Sequence, residues 1–322
     1  MSTSDIKPFA TVHASELASK SMPLAWLADG LLPCGAAAIL GGPPKSGKSF
    51  LALDLCVAVA SGTACAGRFE VPYWAPVLLL SAEDPEPVVT SRLRALAQGR
   101  GRPLGTLPLE VITDFPVRLP DDIERLAATV EMKHPGLLLL DPLIRLHRAD
   151  ENSAGEMSVI LDGLRALARA SKTAILLVHH TRKAPAGNSS GLSFRGSSDL
   201  AAFGDTNLYL RKLSDDPVLE LRIEQRAIQS PAPFKLRLTT NSSDQTARFH
   251  VLEREAGGHD ATGGRVLALL QRSDKPMTSG ALRENLGVRN QIVANALRDL
   301  LSEGRVRRSG RDGWSAVAAG TP

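Results

Sequence analysis

The stretch of residues 39–62, ILGGPPKSGKSFLALDLCVAVASG, changes its character twice. It begins with an apolar run that is typical of the end of a buried strand, and it closes with an apolar run long enough for a helix. The glycines and prolines between the two runs interrupt both patterns and predict a loop. The stretch therefore predicts a strand, a glycine-rich loop and a helix in succession, which is how an α/β unit begins.

The loop of this stretch fits the pattern G-x-x-x-x-G-K-[ST], which binds the phosphates of nucleotides. Its glycines let backbone N–H groups point at phosphate beside the positive end of the following helix. The lysine would contact the β- and γ-phosphates, and the serine hydroxyl would bind Mg²⁺. We therefore predict a site for ATP and Mg²⁺. The residues of the predicted phosphate loop are Gly42, Pro43, Pro44, Lys45, Ser46, Gly47, Lys48 and Ser49.

Three later apolar runs, at 77–80, 137–140 and 174–178, end abruptly in polar residues. Such unalternating runs are typical of parallel strands that are covered on both faces. The segments between them carry apolar residues at the three-to-four spacing of helices. We predict an α/β core with a mainly parallel central sheet. Four further runs predict strands that extend this sheet, the last two as antiparallel edge strands: DTNLYLRKL, VLELRIEQRA, FKLRLTT and ARFHVLE.

Polar residues follow three of the predicted parallel strands and should meet at their carboxyl edge. Asp141 follows one strand directly and could hold Mg²⁺ through water. Glu83 ends another strand and could orient and activate the attacking water, with Asp84 as the second candidate for this role. His179 and His180 end a third strand and could contact the γ-phosphate or its water. The alternative for each carboxylate is a loop residue that caps a helix, and for each histidine a structural role at the strand end.

Composition places the chain among globular proteins. It has 322 residues, of which 43% are hydrophobic and 22% are charged. No apolar run reaches the ~18 residues that cross a bilayer, and the first residues lack the pattern of a secretory signal. Three cysteines without a C-x-x-C pair predict reduced thiols and no zinc site. We therefore expect a cytoplasmic protein without a membrane partner.

Positive charge is concentrated in the last part of the chain. Residues 262–322 hold ten Arg and Lys against five Asp and Glu, a net charge of +5, and the remainder has 28 − 29 = −1. A basic tail on a nearly neutral body predicts a polyanionic partner for the tail. The alternative is a basic surface that serves only solubility.

The tail also has the pattern of a separate domain. The glycine-rich run AGGHDATGG predicts a linker. After it, three helices and a final strand–turn–strand match a winged helix-turn-helix, which can place a helix in a DNA groove. Such modules also mediate protein contacts alone, so this alternative stays open. We predict an ATPase domain over 1–255, a linker over 256–262 and a winged-helix domain over 263–322.

Five segments, in chain order, resemble the RecA-like ATPases of the RepA type, which are hexameric replicative helicases of some plasmids, with phage and chromosomal relatives, and are related to DnaB-type helicases. The likeness covers roughly residues 23–240 and is most distinctive just after Asp141. It implies a RecA-like fold and a ring of subunits with ATP between neighbours. The segments are the phosphate loop, LLLSAEDP, LLLLDPLIRLHRADENSAGEM, LLVHHTRK and FRGSS.

The resemblance also implies a role for each matching residue. Lys48 and Ser49 would contact phosphate and Mg²⁺, and Asp141 would be the Walker B carboxylate. Glu83 would be the catalytic carboxylate. The paired histidines His179 and His180 would sense the γ-phosphate.

A ring ATPase needs an arginine from the neighbouring subunit to neutralise the transferring phosphoryl group. Arg226, in RIEQRAIQSP, lies where DnaB-type helicases have a Gln-Arg pair after a late strand, and we expect it to be this arginine finger. Arg195, in FRGSS, is the second candidate. The chain departs from the RepA pattern after RGSS, where it lacks the arginine that this type places there. Either arginine could instead pair with a surface acid.

The polar segment TRKAPAGNSSGLSFRGSS, residues 181–198, carries the basic residues Arg182, Lys183 and Arg195. In ring ATPases of this class the corresponding loop lines the central channel, and basic side chains there suit contacts with the backbone of single-stranded DNA. A solvent loop without a ligand is the alternative.

Three functions remain compatible with these patterns. The first is an ATP-driven DNA helicase or translocase of the RepA-like class, which the run after Asp141 favours. The second is a RecA-fold ATPase that binds DNA in recombination, partition or regulation without unwinding it. The third is a KaiC-like ATPase switch that acts on proteins. The basic tail and basic loop favour the first two, and the paired histidines and late strands disfavour a small-molecule kinase.

Overall fold

The chain divides into two compact units, with the division between His250 and Val251. Among the described residues, no helix combines the length and the apolar character that spanning a membrane requires. The computed structural model describes residues 9–20, 23–113, 116–181, 198–213, 218–241, 243–252, 260–273, 275–288, 290–302, 304–309 and 313–317.

The first unit is built on one large sheet and a small hairpin. The hairpin strands are β1 and β2, and the remaining strands belong to the large sheet. The runs that were predicted to be strands are strands, although the turn at 214–217 lies outside the described residues. The strands are β1 (Trp26–Ala28), β2 (Leu32–Pro33), β3 (Ala37–Gly42), β4 (Val77–Ser81), β5 (Leu109–Val111), β6 (Leu137–Asp141), β7 (Ala174–His180), β8 (Thr206–Lys212), β9 (Val218–Gln225), β10 (Phe234–Asn241) and β11 (Thr246–Leu252).

The described strands of the large sheet lie in the order β11-β10-β9-β8-β3-β7-β6-β4-β5. β3 is central and pairs in parallel with β7 and β8, and the parallel pairing continues through β6 and β4 to β5. β9 is antiparallel to both β8 and β10. The predicted α/β core with a mainly parallel sheet is therefore confirmed, with antiparallel strands added at one side.

Helices cover both faces of this sheet, which explains why the parallel strands are apolar throughout. α2 is buried on nearly all sides, and its sequence is correspondingly apolar around its whole circumference. α4 and α5 instead alternate buried and exposed residues. Ser153 caps the start of α5, because its hydroxyl accepts from the N–H of Glu156. The helices of the first unit are α1 (Ala14–Lys20), α2 (Lys48–Ser61), α3 (Glu86–Gly99), α4 (Ile123–Lys133), α5 (Ala154–Ser171) and α6 (Ser198–Phe203).

A buried ion pair fixes α2 to the end of α3. Arg100 Nη2 lies 2.6 Å from Asp54 Oδ1, and the other carboxylate oxygen of Asp54 accepts from the N–H of Ala66 at 2.7 Å. Both side chains of the pair are almost excluded from solvent. α2 follows the phosphate loop directly, and its first turn contains Lys48 and Ser49 of that loop. The ion pair therefore holds the helix that carries these two residues.

The described residues of the second unit form three helices and a small antiparallel sheet. The helices precede the last two strands in the predicted order, and Gly287 ends the second helix in the left-handed conformation, with φ of 63°. The predicted linker at 256–262 lies mostly outside the described residues, and the first helix already begins at Asp260. The elements are α7 (Asp260–Arg272), β12 (Met277–Thr278), α8 (Ser279–Leu286), α9 (Asn290–Ser302), β13 (Val306–Ser309) and β14 (Gly313–Ala316), and the strands lie in the order β12-β14-β13.

The Arg100–Asp54 pair leads to a prediction about stability. We expect Arg100→Ala to lower the free energy of unfolding by about 3–5 kcal/mol, because it leaves the Asp54 carboxylate buried without its counter-charge. The control is Lys133→Ala, which removes an exposed pair with Glu110 at 2.6 Å and should cost no more than about 1 kcal/mol. Urea titrations followed by circular dichroism measure both values, and equal losses would contradict the structural role of the buried pair.

Candidate nucleotide-binding and catalytic site

The carboxyl edge of the parallel strands brings the predicted site residues together. In the register of the sheet, Gly42 lies beside His180, and Ser81 lies beside Asp141. A cleft of about 510 Å³ opens at this edge. Among the described residues, the cleft is lined by Pro44, Lys45, Ser46, Gly47, Lys48, Ser49, Phe50, Ser81, Glu83, Asp84, Arg92, Asp141, Pro142, Val178 and His180.

The phosphate loop has the backbone shape that its glycines predict. Gly47 has φ of 87°, in the region that favours glycine, and Lys45 also has a positive φ, of 61°. Gly42 has no room for a side chain, because a Cβ there would lie 2.3 Å from the carbonyl oxygen of Leu210 and 2.7 Å from Ser46 Oγ. Among the described residues, no side chain caps the start of α2, so the N–H groups of its first turn can bind an anion.

Two side chains of the loop point toward the same space. Lys48 is buried, and its Nζ donates to the carbonyl of Pro43 at 2.9 Å. Burial lowers the pKa of Lys48, although Asp141 and Glu83 act in the opposite direction. Ser46 Oγ is buried and has no hydrogen-bond partner among the described residues. A buried ammonium and an unsatisfied hydroxyl fit the phosphate oxygens of a nucleotide, which would supply acceptors for both.

Asp141 and Ser49 fit a Mg²⁺ ion. Burial raises the pKa of Asp141 to about 6, and the hydrogen bond from Ser49 and the charge of Lys48 only partly offset it. The Ser49 hydroxyl therefore lies close to the carboxylate at the carboxyl end of β6. Two oxygen ligands beside a phosphate site are the donor set that Mg²⁺ takes in nucleotide enzymes, so the residues present fit this ion.

The two acidic residues after β4 have different surroundings. Arg92, on α3, forms an ion pair with Asp84, and its guanidinium also lies 5.2 Å from the centre of the Phe50 ring. Glu83 is exposed to the cleft, and within the described residues its carboxylate has no hydrogen bond or ion pair. An acceptor of a water proton must have a lone pair available. The geometry thus favours Glu83 over Asp84 for this role, as the sequence had suggested.

The paired histidines do not share one environment. His180 lines the cleft, but His179 is fully buried, and its Nδ1 lies 3.6 Å from Glu151 Oε1. Successive side chains of a strand point to opposite faces of the sheet, so two neighbours on β7 cannot both face the same space. The expectation that both imidazoles reach the γ-phosphate therefore does not fit this geometry, and only His180 keeps that role as a proposal.

The arginine candidates lie away from the cleft or outside the described residues. Arg226 directly follows β9, and it is not among the residues that line the cleft of its own chain. Arg195 falls outside the described residues, as do Arg182 and Lys183 of the basic loop. Of the two candidate arginine fingers, only Arg226 therefore has a described position.

Sequence reasoning missed Arg92 and Phe50 as cleft residues. Phe50 follows Ser49 directly. Its apolar side chain fits the helical pattern of α2, and this pattern predicts only a helix. Arg92 is one of the two basic residues of α3, and nothing in the sequence separates it from its exposed neighbour Arg94. Asp84 lies just before Pro85, the residue that precedes α3, and Arg92 on that helix reaches back to it.

The raised pKa of Asp141 leads to a prediction about pH. The folded protein holds this proton more tightly than the unfolded chain, so Asp141 lowers stability as pH rises from about 4 to about 6. We expect Asp141→Asn to raise the free energy of unfolding of the nucleotide-free protein by on the order of 2 kcal/mol at pH 8. The gain should shrink as pH falls through this window.

The same variant should lose the Mg²⁺ dependence of nucleotide binding, because it lacks the anionic ligand. The control is Glu83→Gln, at an exposed carboxylate of the same cleft, which should not change stability. Urea unfolding between pH 4 and pH 8, with and without Mg²⁺ and nucleotide, measures these effects. A gain for Asp141→Asn that does not vary with pH would refute the assigned cause.

Comparison with solved structures supports the fold of the first unit. One, solved as an isolated ATPase domain, matches with a TM-score of 0.53 and 15% sequence identity, over 73% of this chain and 94% of that one. A DnaB-like replicative helicase, described with its primase interactions, matches with the same TM-score and identity, over 73% of this chain and 64% of that one. The predicted RecA-like core is thereby confirmed as a fold. Residues 3–186, more than half of the sequence, match the AAA domain family AAA_25, and the chain belongs to this family.

Proposed function

We propose that the chain is an ATP-dependent DNA helicase or translocase of the RepA-like class, which hydrolyses ATP between neighbouring copies of a ring. The observation that carries the proposal is the convergence of Lys48, Ser49, Glu83 and Asp141 on one cleft. Family membership and the RecA-like fold support ATP as the substrate. The proposal includes the hydrolysis of ATP, the unwinding of DNA and the assembly of copies into a ring.

The residues of the cleft suit an attack of water on the γ-phosphorus. Glu83 accepts the proton of the attacking water while the bond between the γ-phosphorus and the bridging β–γ oxygen breaks. Lys48 and the N–H groups at the start of α2 stabilise the negative charge on the phosphate oxygens. Mg²⁺, held by Ser49 and Asp141, would neutralise part of that charge. His180 lies where it can contact the γ-phosphate or the water.

The position of Arg226 supports a site shared between two copies. Gln225 pairs with Thr206, and Thr206 in turn pairs with Ala38 near the start of β3. Ala38 is four residues before Gly42, which corresponds to about 13 Å along a strand. Arg226 therefore lies at the amino edge of the parallel strands, opposite the phosphate loop of its own chain. If Arg226 is an arginine finger, it acts on the nucleotide of another copy.

Support for DNA as the partner comes from charge and from fold. The basic tail would be attracted to polyanions, and the predicted basic loop with Arg182, Lys183 and Arg195 would contact a strand in the channel of the ring. The solved structures with the same fold include a DnaB-like replicative helicase. We therefore propose single-stranded DNA in the channel and a homo-oligomer, a hexamer by analogy with the RepA type.

The first test is the turnover of ATP. We expect single-stranded DNA to raise it several-fold, and Lys48→Ala to abolish it because the phosphate site loses its buried charge. Glu83→Gln should lower turnover by about 10²–10⁴ while nucleotide still binds, since only the proton acceptor is lost. Asp84→Asn, at the carboxylate paired with Arg92, is the control and should lower turnover far less. Steady-state kinetics and binding of a fluorescent ATP analogue measure these effects.

A strand-displacement assay run with the same samples separates the alternatives. Unwinding that requires ATP hydrolysis supports the helicase. Turnover that rises with DNA but releases no strand would favour a RecA-fold ATPase for recombination, partition or regulation. ATP turnover that does not change when DNA is added would favour a KaiC-like switch that acts on proteins.

We further propose that the second unit is a winged helix that binds duplex DNA. Its element order, with α8 and α9 followed by the β13–β14 hairpin, is what this domain type requires. Arg298 on α9 and Arg307 on β13 are exposed, and Arg308 lies over the Trp314 ring at 5.3 Å. An apolar core of its own, including Trp314, supports independent folding of the unit.

The double variant Arg298→Ala with Arg307→Ala tests this proposal in the full chain. If both side chains contact phosphates, affinity for duplex DNA should fall and the slope of log K against log salt should decrease by about 2. The control is Arg94→Ala, at an exposed arginine of α3 in the first unit. Fluorescence anisotropy at several salt concentrations gives the slopes, and an unchanged slope would favour a module for protein contacts.

A further inference from the structure

Within the part of the chain that the structure describes, Arg226 contacts Ala202 and Asp205. Its Nη2 donates to the carbonyl of Ala202, and its Nη1 lies 3.8 Å from Asp205 Oδ1. Its backbone N–H donates to the carbonyl of Asp205 at 3.0 Å. The guanidinium is thus held on one side by the end of α6 and by Asp205, in the short segment that joins α6 to β8.

That segment is itself fixed to the central strand. Asp205 Oδ2 accepts from the N–H of Ala37 at 3.0 Å, and the N–H of Asp205 donates to the carbonyl of Ala37 at 2.7 Å. Ala37 is the first residue of β3, whose other end leads into the phosphate loop. Asp205 therefore joins the base of the central strand to Arg226 through its two carboxylate oxygens.

The other acceptor of Arg226 is fixed as well. Arg165, on α5, donates from Nη2 to the carbonyl of Ala202 at 3.2 Å and to that of Phe203 at 2.8 Å. Its guanidinium also lies 5.1 Å from the centre of the Phe203 ring. The end of α6 is therefore anchored to α5, and the carbonyl that receives Arg226 has a defined place.

Exposure shows what this arrangement does for Arg226. The Arg226 side chain is 56% exposed and that of Asp205 is 40% exposed. An ion pair so accessible to water contributes little to stability. It does restrict the guanidinium, whose side chain would otherwise sample many rotamers. One side of the guanidinium is occupied by Ala202 and Asp205, and more than half of the side chain remains open to another molecule.

We propose that Asp205 is a positioning residue for Arg226, which it holds ready to contact the nucleotide of a neighbouring copy. This inference rests on the proposed function, in which Arg226 completes a neighbour's site. Asp205 does not touch the nucleotide. Its effect on the reaction passes entirely through the guanidinium that it orients, because a misplacement of about 1 Å can cost about 10²-fold in rate.

Asp205→Asn is the variant that isolates this role. An asparagine side-chain oxygen can still accept from the N–H of Ala37, so the connection to β3 is kept, while the negative charge beside Arg226 is lost. The matched control is Glu220→Gln, which removes the carboxylate that pairs with Arg211 at 2.6 Å on the neighbouring strands β8 and β9. The side chains of that pair are 33% and 24% exposed.

The experiment mixes two inactive full-length variants. Lys48→Ala has no working phosphate site but keeps Arg226, and Arg226→Ala keeps its phosphate site but offers no finger. Mixed copies should recover ATP turnover, because one copy supplies the site and the other supplies the arginine. Asp205→Asn is then added to one partner at a time, and kcat and KM are measured for each mixture.

The expected result depends on which partner carries the change. Asp205→Asn in the Lys48→Ala partner, which donates the arginine, should lower the recovered kcat about tenfold with little change in KM. The same change in the Arg226→Ala partner should have no effect, and Glu220→Gln should have none in either. A purely structural role would lower turnover equally from both partners, and this outcome would overturn the positioning role.

Two further outcomes separate this inference from the proposed function. If mixing Lys48→Ala with Arg226→Ala recovers no turnover, the site is not shared in the proposed way, and both proposals fail. If turnover is recovered but Asp205→Asn has no effect in the donating partner, the shared site stands and the positioning role is refuted.

Discussion

The site depends on the burial of opposite charges at the carboxyl edge of the sheet. Lys48 and Asp141 are both almost excluded from solvent, and burial shifts the pKa of each toward its neutral form. Without a ligand their mutual attraction does not fully compensate for the loss of water. Phosphate beside the ammonium and a divalent cation beside the carboxylate would each supply the missing counter-charge. The folded protein thus has an unfavourable electrostatic free energy at this site, which binding of phosphate and a divalent cation can reduce.

The rest of the first unit serves to hold these groups in place. The register of the sheet brings the ends of β3, β4, β6 and β7 to one edge, and α2 is packed on nearly every side. The ion pair of Asp54 with Arg100 fixes this helix to the end of α3. A helix with so little exposed surface has few ways to shift, so the N–H groups at its start are preorganised for an anion.

Much of this arrangement follows from the sequence in physical terms. Continuous apolar runs predicted the parallel strands, and polar residues at their ends predicted one shared edge, which places Lys48, Glu83, Asp141 and His180 around one cleft. The sequence could not distinguish His179 from His180. Adjacent residues of a strand face opposite sides of the sheet, and the register of the strand decides which of the two faces the cleft. Contacts between distant segments, such as Arg92 with Asp84 or Asp205 with Arg226, carry no local pattern and required the three-dimensional arrangement.

The placement of the phosphate loop and Arg226 at opposite edges of the sheet has a consequence for symmetry. A copy that offers its arginine through one edge and receives another through the opposite edge makes two different contacts, so association of this kind is head-to-tail. A two-fold dimer would bury the same patch on both partners and could not complete both pockets in this way. Repetition of the head-to-tail step either closes into a ring, in which every pocket is complete, or continues as a helical filament whose terminal pocket lacks its arginine.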